Sequence, residues 1–168
     1  MTLKRCFPPV VDANTRILIL GSLPGEVSLA HGQYYANRQN KFWSLVGNVI
    51  EQDLVGMDYP ARLDGLLKHH IGLWDVVAQA LRVGSLDSNI RGHESNDLIA
   101  LVETLPKLLA IAFNGGTAAK IGTKTLGEMG KRYQLVNLPS SSPAHASVSY
   151  VEKLLAWRVL GRFLHGRR

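Results

Sequence analysis

Hydrophobic positions along this chain fall into two rhythms. Three short apolar runs, Arg16–Leu20 (RILIL), Leu108–Phe113 (LLAIAF) and Gln134–Leu138 (QLVNL), read as buried strands, each followed at once by Gly, Asn or Pro. Gly72–Val77 (GLWDVV) is a weaker fourth strand. Between the runs the spacing is helical. Phe42, Leu45, Val46, Val49 and Ile50 make one apolar stripe. Leu63, Leu66 and Leu67 repeat it behind Pro60, a residue suited to a first helical turn. Leu98, Leu101, Val102 and Leu105 do so again behind Ser95 and Asn96, and Pro106 ends that helix. A last helix is expected over roughly Ser147–Leu164, with Val148, Val151, Leu155, Val159 and Phe163 inward and Lys153, Arg158 and Arg162 among its other positions.

Strand alternating with helix predicts an α/β fold with a mostly parallel sheet covered on both faces. No repeat, low-complexity tract or long linker divides the chain, so residues 1–168 are expected to form a single domain. In such sheets ligands bind at the carboxyl ends of the strands, which makes the segments after each strand the places to look for chemistry.

Composition narrows the classes. With 168 residues, 46% hydrophobic and 19% charged, the chain is neither disordered nor fibrous. No window approaches the ~18 apolar residues of a membrane span, and no apolar leader core precedes the prolines of MTLKRCFPPVV. The single cysteine, Cys6, excludes an internal disulfide and a cysteine-held iron–sulfur or zinc cluster. A cytoplasmic, metal-independent protein is therefore expected. Lys and Arg number 19 against 13 Asp and Glu, a net charge of +6 that favours an anionic partner, nucleic acid first.

Four segments can carry chemistry. Gly21-Ser22-Leu23-Pro24-Gly25 is a tight loop whose backbone amides can approach a ligand; it lacks the spacing of a P-loop or a dinucleotide fingerprint, and taken alone it reads first as an ordinary strand-to-helix turn. Tyr34, Tyr35, Asn37, Arg38, Gln39, Asn40 and Lys41 form a polar and aromatic cluster able to stack on a base and to hydrogen-bond a base edge or a water, although Asn40 can also simply cap the helix of Phe42 and Trp43. Asn114-Gly115-Gly116-Thr117 opens a helix carrying Lys120 and Lys124 and offers free amides to an anion, or merely shapes a turn. Pro139-Ser140-Ser141-Ser142-Pro143-Ala144-His145 can press on a phosphodiester backbone with little bulk; His145 is otherwise a solvated loop histidine. Ser22 lacks a nucleophile elbow, and Glu26, Asp75 and Asp87 show no glycosidase-like spacing.

In order, GSLPGEVSL, YYANRQNKFW, GLWDVVAQALRVGSLDSNI, FNGG and NLPSSSPAHA resemble the uracil-DNA glycosylase superfamily, most closely its hypoxanthine (deoxyinosine) branch, from about Ile17 to Ala146. The resemblance implies a three-layer α/β/α fold around a short, mostly parallel sheet of about four strands. It also implies a DNA repair glycosylase that flips a deaminated base from DNA and hydrolyses its N-glycosidic bond. Gly21, Ser22, Leu23, Pro24 and Gly25 then line the base pocket with Tyr34, Tyr35, Phe42 and Asn114. Mismatch-specific relatives read GxNPG in that loop and use its Asn to hold the water; here the place is Leu23, so the resemblance moves that role to Asn40, with Asn37 second.

Pro139, Ser140, Ser141, Ser142, Pro143 and His145 fall on a DNA-entering loop, headed by Leu138 where other branches have His or Asn, and Lys120 and Lys124 on the DNA backbone. Base hydrolysis needs no metal or cofactor, and neither Gly21–Gly25 nor Leu138–His145 holds a lysine for a Schiff base, so a monofunctional enzyme is expected. DNA is the expected partner, with no membrane, and a monomer the expected state. The alternatives are a mismatch-specific uracil or thymine glycosylase and a nucleic-acid-binding module without chemistry.

Overall fold

The computed structural model describes residues 2–164; Met1 and residues 165–168 of the expected domain lie outside them. Four parallel strands form the central sheet in the order β3-β2-β6-β7: β2 (Ile17–Gly21), β3 (Ile71–Asp75), β6 (Ala110–Asn114) and β7 (Gln134–Leu138). All five residues of β2 are buried, as a strand covered on both faces requires. Ile17 and Ile19 pack toward α2 (Phe42–Ile50), α3 (Tyr59–Lys68) and α6 (Tyr150–Trp157). Leu18 and Leu20 pack toward α4 (Leu98–Glu103) and α5 (Gly116–Leu126). This is the α/β/α architecture expected from the sequence, and a short α1 (Glu26–His31) completes it beside the first loop.

A second sheet was not expected. β1 (Thr2–Arg5), β4 (Val77–Arg82) and β5 (Arg91–Ser95) pair antiparallel in the order β1-β4-β5. The run Gly72–Val77 therefore divides: its first part is β3, and Val77 already belongs to β4. The crossing is tight, because the amides of Val76 and Val77 donate to the carbonyls of Gly21 and Ser22 at 2.8 and 3.0 Å. One face of the core thus runs directly into the loop that follows β2.

Two helix readings need correction. The α4 cap is Asp97, whose carboxylate accepts the Ala100 amide at 3.0 Å, while Asn96 is buried and donates to the Asp75 carbonyl at 2.7 Å. The last helix presents a different face from the one expected: Val151 and Leu155 are 64% and 62% exposed, and Lys153, Trp157 and Leu160 are buried. A Ser149–Glu152 capping box fixes where α6 starts. The large Trp157 then decides which side turns in, packing on Phe42 and donating its indole N–H to the Pro139 carbonyl at 2.9 Å. Val159 and Phe163 are half-buried in a 3-10 turn that follows, Arg158–Phe163.

Candidate active site

The carboxyl ends of the parallel strands place Asp75, Gly21, Asn114 and Leu138 along one edge of the sheet, through the registers Gly21–Asp75 and Asn114–Leu138. Above that edge lies a cleft of about 540 Å³, walled by 21–28, Tyr34, Tyr35, Asn37, Asn40, 85–87, 114–117 and 140–145. Four of the expected segments therefore meet around one cavity, and the loop after β4 joins them.

Gly21 is its floor. A Cβ there would lie 2.7 Å from both the Asp75 Oδ1 and the Tyr35 hydroxyl, so only glycine lets these groups approach. Gly115 does the same on the other side: it sits at φ +97, and a Cβ would meet Ser140 at 3.1 Å.

Tyr35 is held in the left-handed region at φ 54. That turn directs its carbonyl to the Trp43 indole N–H at 3.1 Å and stacks its ring on Phe42, with centroids 3.9 Å apart and planes 10° from parallel. Phe42 is fully buried behind Tyr35 and does not line the cleft, a correction to its expected place. Tyr34 borders the cleft, but its hydroxyl donates to the Pro8 carbonyl at 2.9 Å and its ring meets Phe7 edge-on. Burial pushes the ionisation of both tyrosines upward, so both are neutral phenols.

Asn114 lies at the cleft with its amide engaged in the protein. Its Nδ2 donates to the Tyr35 hydroxyl at 3.2 Å and to Ser141 Oγ at 2.9 Å, and its Oδ1 accepts the Ser141 amide at 2.9 Å. Ser141 is 1% exposed, and its carbonyl accepts the Lys41 amide at 3.0 Å. It therefore faces the protein and not an external backbone, again a correction. Pro139 is likewise tied to Trp157, while Ser140, Ser142, Pro143 and His145 remain on the cleft wall. The buried Lys153 supports this loop by donating to the Ser142 carbonyl at 3.3 Å, and desolvation lowers its pKa. Lys120 and Lys124 lie exposed on α5 and do not line the cleft.

Asn37 and Asn40 stand together at the mouth. The Asn40 amide donates to the Asn37 carbonyl at 2.9 Å. Asn40 Oδ1 accepts the Phe42 amide at 3.0 Å, and Asn37 Oδ1 the Gln39 amide at 2.9 Å. The capping role foreseen for Asn40 is present, and one lone pair of that oxygen is left over.

Asp75 is the residue that sequence reasoning missed. It is 4% exposed, and its Oδ2 is buried without any hydrogen-bond partner among the described residues. Burial, reinforced by the nearby charge of Asp87 and opposed by Arg82, pushes its pKa up to about 7. Asp87 is raised as well, chiefly by burial, although it accepts the Ser22 hydroxyl at 2.7 Å. The buried Arg82 guanidinium clamps this corner. It donates to the carbonyls of Gly84 at 2.9 Å, Leu23 at 3.5 Å and Pro24, binding the first loop to the turn after β4. The signal for Asp75 was available: a single carboxylate inside the apolar run GLWDVV has to be paid for by chemistry or by pairing.

A carboxylate with one buried oxygen that has no partner among the described residues, an amide pair and a stacked phenol line a cleft suited to a flat, hydrogen-bonding ring, in a three-layer α/β/α protein with a basic balance. A family model for the uracil DNA glycosylase superfamily matches residues 8–161, and the chain belongs to that superfamily. The hypoxanthine DNA glycosylase of Methanosarcina acetivorans is 47% identical over 147 residues, covering 88% of this chain and 91% of the relative. That of Methanosarcina barkeri is 46% identical over 112 residues, covering 67% and 71%. A solution NMR structure from Methanosarcina acetivorans, carrying a provisional uracil DNA glycosylase name, superimposes with a TM-score of 0.86 at 43% identity, covering 98% of this chain and 100% of that one.

Proposed function

We propose that this chain is a DNA glycosylase of the deaminated-base class, and that hypoxanthine, in deoxyinosine, is the base it releases. The observation that carries the reading is Asp75, which lines a cleft of about 540 Å³ and has a buried oxygen without a partner among the described residues. Deamination turns the N1 lone pair of adenine into an N1–H in hypoxanthine. A buried carboxylate accepts that N–H and is repelled by the lone pair, so Asp75 reads the lesion directly. Tyr35, braced by Phe42, stacks on the flipped ring.

Asn40 takes a water by the lone pair its cap leaves free, with Asn37 as the second candidate. An amide orients water without being a base, which suits a departing base with an oxocarbenium-like sugar. The amides at the start of α5, behind Gly115, favour the negative charge the leaving base acquires. Leu23 is buried and supplies no water-holding group. The product is an abasic site, left uncut because neither Gly21–Gly25 nor Leu138–His145 supplies a lysine nucleophile.

The test is release of base from labelled duplexes carrying one deoxyinosine or one deoxyuridine, in EDTA, with alkali to reveal abasic sites. Cleavage at inosine and not at uracil is expected. Strong uracil cleavage would move the substrate to the mismatch class, and silence on both would sink the enzyme reading. Asn40→Ala is expected to abolish turnover with DNA affinity within a few fold; unchanged turnover would remove Asn40 from its role.

A further inference from the structure

Lys120 and Lys124 stand away from the cleft, so a duplex bound over it needs cations elsewhere on the rim. Most basic groups nearby are already spent. Lys4 pairs with Glu26 at 3.5 Å, Arg82 is buried against the carbonyls of the first loop, and buried Lys153 holds the Ser142 carbonyl. Arg38 and Lys41 are exposed beside Asn40, but no hydrogen bond among the described residues fixes either side chain.

Arg91 is different. It begins β5, directly after the turn whose residues 85–87 wall the cleft, and it is exposed. Its Nη1 donates to the Ser88 and Ile90 carbonyls, both at 2.8 Å, which uses both hydrogens of that nitrogen. The Nε–H and the neighbouring Nη2–H remain, and they form the parallel fork that matches two oxygens of a phosphate. The ion pairs among the described residues are Lys4–Glu26, Lys68–Asp64 and Lys131–Glu128, so no carboxylate competes for that fork. Asp87, the carboxylate of the same turn, is engaged with the Ser22 hydroxyl at 2.7 Å.

The turn is firmly built. Ser85 Oγ accepts the Glu26 amide at 2.9 Å, which ties the turn to the first loop. The Asn89 amide donates to the Leu86 carbonyl at 3.0 Å, and its side chain donates to the Val83 carbonyl at 3.1 Å. A guanidinium anchored to such a turn has already given up much of the rotamer freedom that gripping an anion would cost.

We propose that Arg91 is a phosphate clamp, taking two oxygens of one DNA backbone phosphate beside the nucleotide whose base enters the cleft. The inference rests on the glycosylase reading above, and its test separates the two. Full-length wild type, Arg91→Gln, Arg91→Lys and Lys107→Gln are titrated with a duplex carrying one tetrahydrofuran abasic analogue, between about 50 and 200 mM salt. No base is released in this experiment, so its outcome does not depend on the substrate. Lys107 is an exposed cation just before β6, at the amino end of the sheet away from the cleft, which makes it the control.

Arg91→Gln is expected to bind about tenfold more weakly at the lowest salt, and the slope of log K against log salt to fall in magnitude by about 0.9, one phosphate's worth of released counterions. Arg91→Lys keeps the charge without the fork, so it should lose affinity and retain the wild-type slope. Lys107→Gln should change neither. An unchanged slope in Arg91→Gln would overturn the clamp even if affinity fell, because a residue that only braces its turn weakens binding equally at every salt concentration. An equal fall in Lys107→Gln would overturn it too. Wild-type silence on deoxyinosine alongside an Arg91-dependent slope would overturn the substrate and keep the clamp; normal excision with an unchanged slope would do the opposite.

Discussion

Two polar residues flank Gly21 at the ends of neighbouring strands, and they are spent differently. Asn114, at the end of β6, has both amide hydrogens and its oxygen bonded to Tyr35 and Ser141. Asp75, at the end of β3, has a buried oxygen bonded to nothing among the described residues. Both line the same cleft. A polar group whose bonds are all made within the protein holds a scaffold together; one whose desolvation is uncompensated costs stability and is kept for what it binds. Proximity to a cavity alone would have given both the same role. The bonding inventory separates them.

The largest effect expected from this contrast is on catalysis. Asp75→Ala should lower kcat/KM for deoxyinosine by about a thousandfold, or roughly 4 kcal/mol of transition-state binding at 1.36 kcal/mol per tenfold, with the melting temperature unchanged or higher. Single-turnover excision and thermal unfolding on the same preparation check both halves. Asn114→Ala should do the reverse. It removes three hydrogen bonds and strands Ser141 and Tyr35, a loss of about 3 kcal/mol of stability, read as a lower denaturant midpoint. If Asn114→Ala proved as stable as wild type, the scaffold half of the contrast would fail.

Next comes Asp75→Asn, which keeps the shape and removes the charge. With the folded pKa raised to about 7 above the ordinary 3.8, ionised Asp75 destabilises the fold. The penalty is absent below about pH 4, grows as pH rises toward 7, and is constant above it. Asp75→Asn should therefore be more stable than wild type by on the order of 4 kcal/mol at pH 8, and the gain should vanish near pH 4. A pH-independent difference would show that the charge is not its source. Excision by wild type should likewise fall below about pH 7, as Asp75 takes up a proton, loses its charge and accepts the base N–H more weakly.

The smallest effect expected is from Lys153→Met. One 3.3 Å bond to the Ser142 carbonyl is lost and a buried ammonium removed, so stability should change by less than about 1 kcal/mol in either direction, measured by chemical denaturation.

Much of this contrast was hidden from the sequence, for physical reasons. The parallel strands were legible because burial on both faces writes an unbroken apolar run, as in RILIL. β5 (RGHES) is exposed at every residue and carries no such run, so the antiparallel sheet went unseen. The α6 periodicity was real, but several aliphatic residues competed for the inward side and only packing shows that Trp157 takes it.

The first loop, the Asn114 turn and the serine loop were placed at strand ends by punctuation, the Asn37–Asn40 cluster was picked out by its composition, and the four do meet at one cleft. Which of their side chains reach the cavity was not legible. Phe42 supports Tyr35 from behind, Ser141 locks onto Asn114, and Lys120 and Lys124 stand away from the cleft. Asp75 became visible only when register brought it beside Gly21 and Tyr35.

The most direct test of the account is single-turnover excision of deoxyinosine by wild type and Asp75→Ala, run between pH 5 and 9 on one duplex. The account predicts a wild-type rate that rises to a plateau above about pH 7, and a folded variant about a thousandfold slower with no such rise. A variant that excises at the wild-type rate, with the same pH profile, would contradict it.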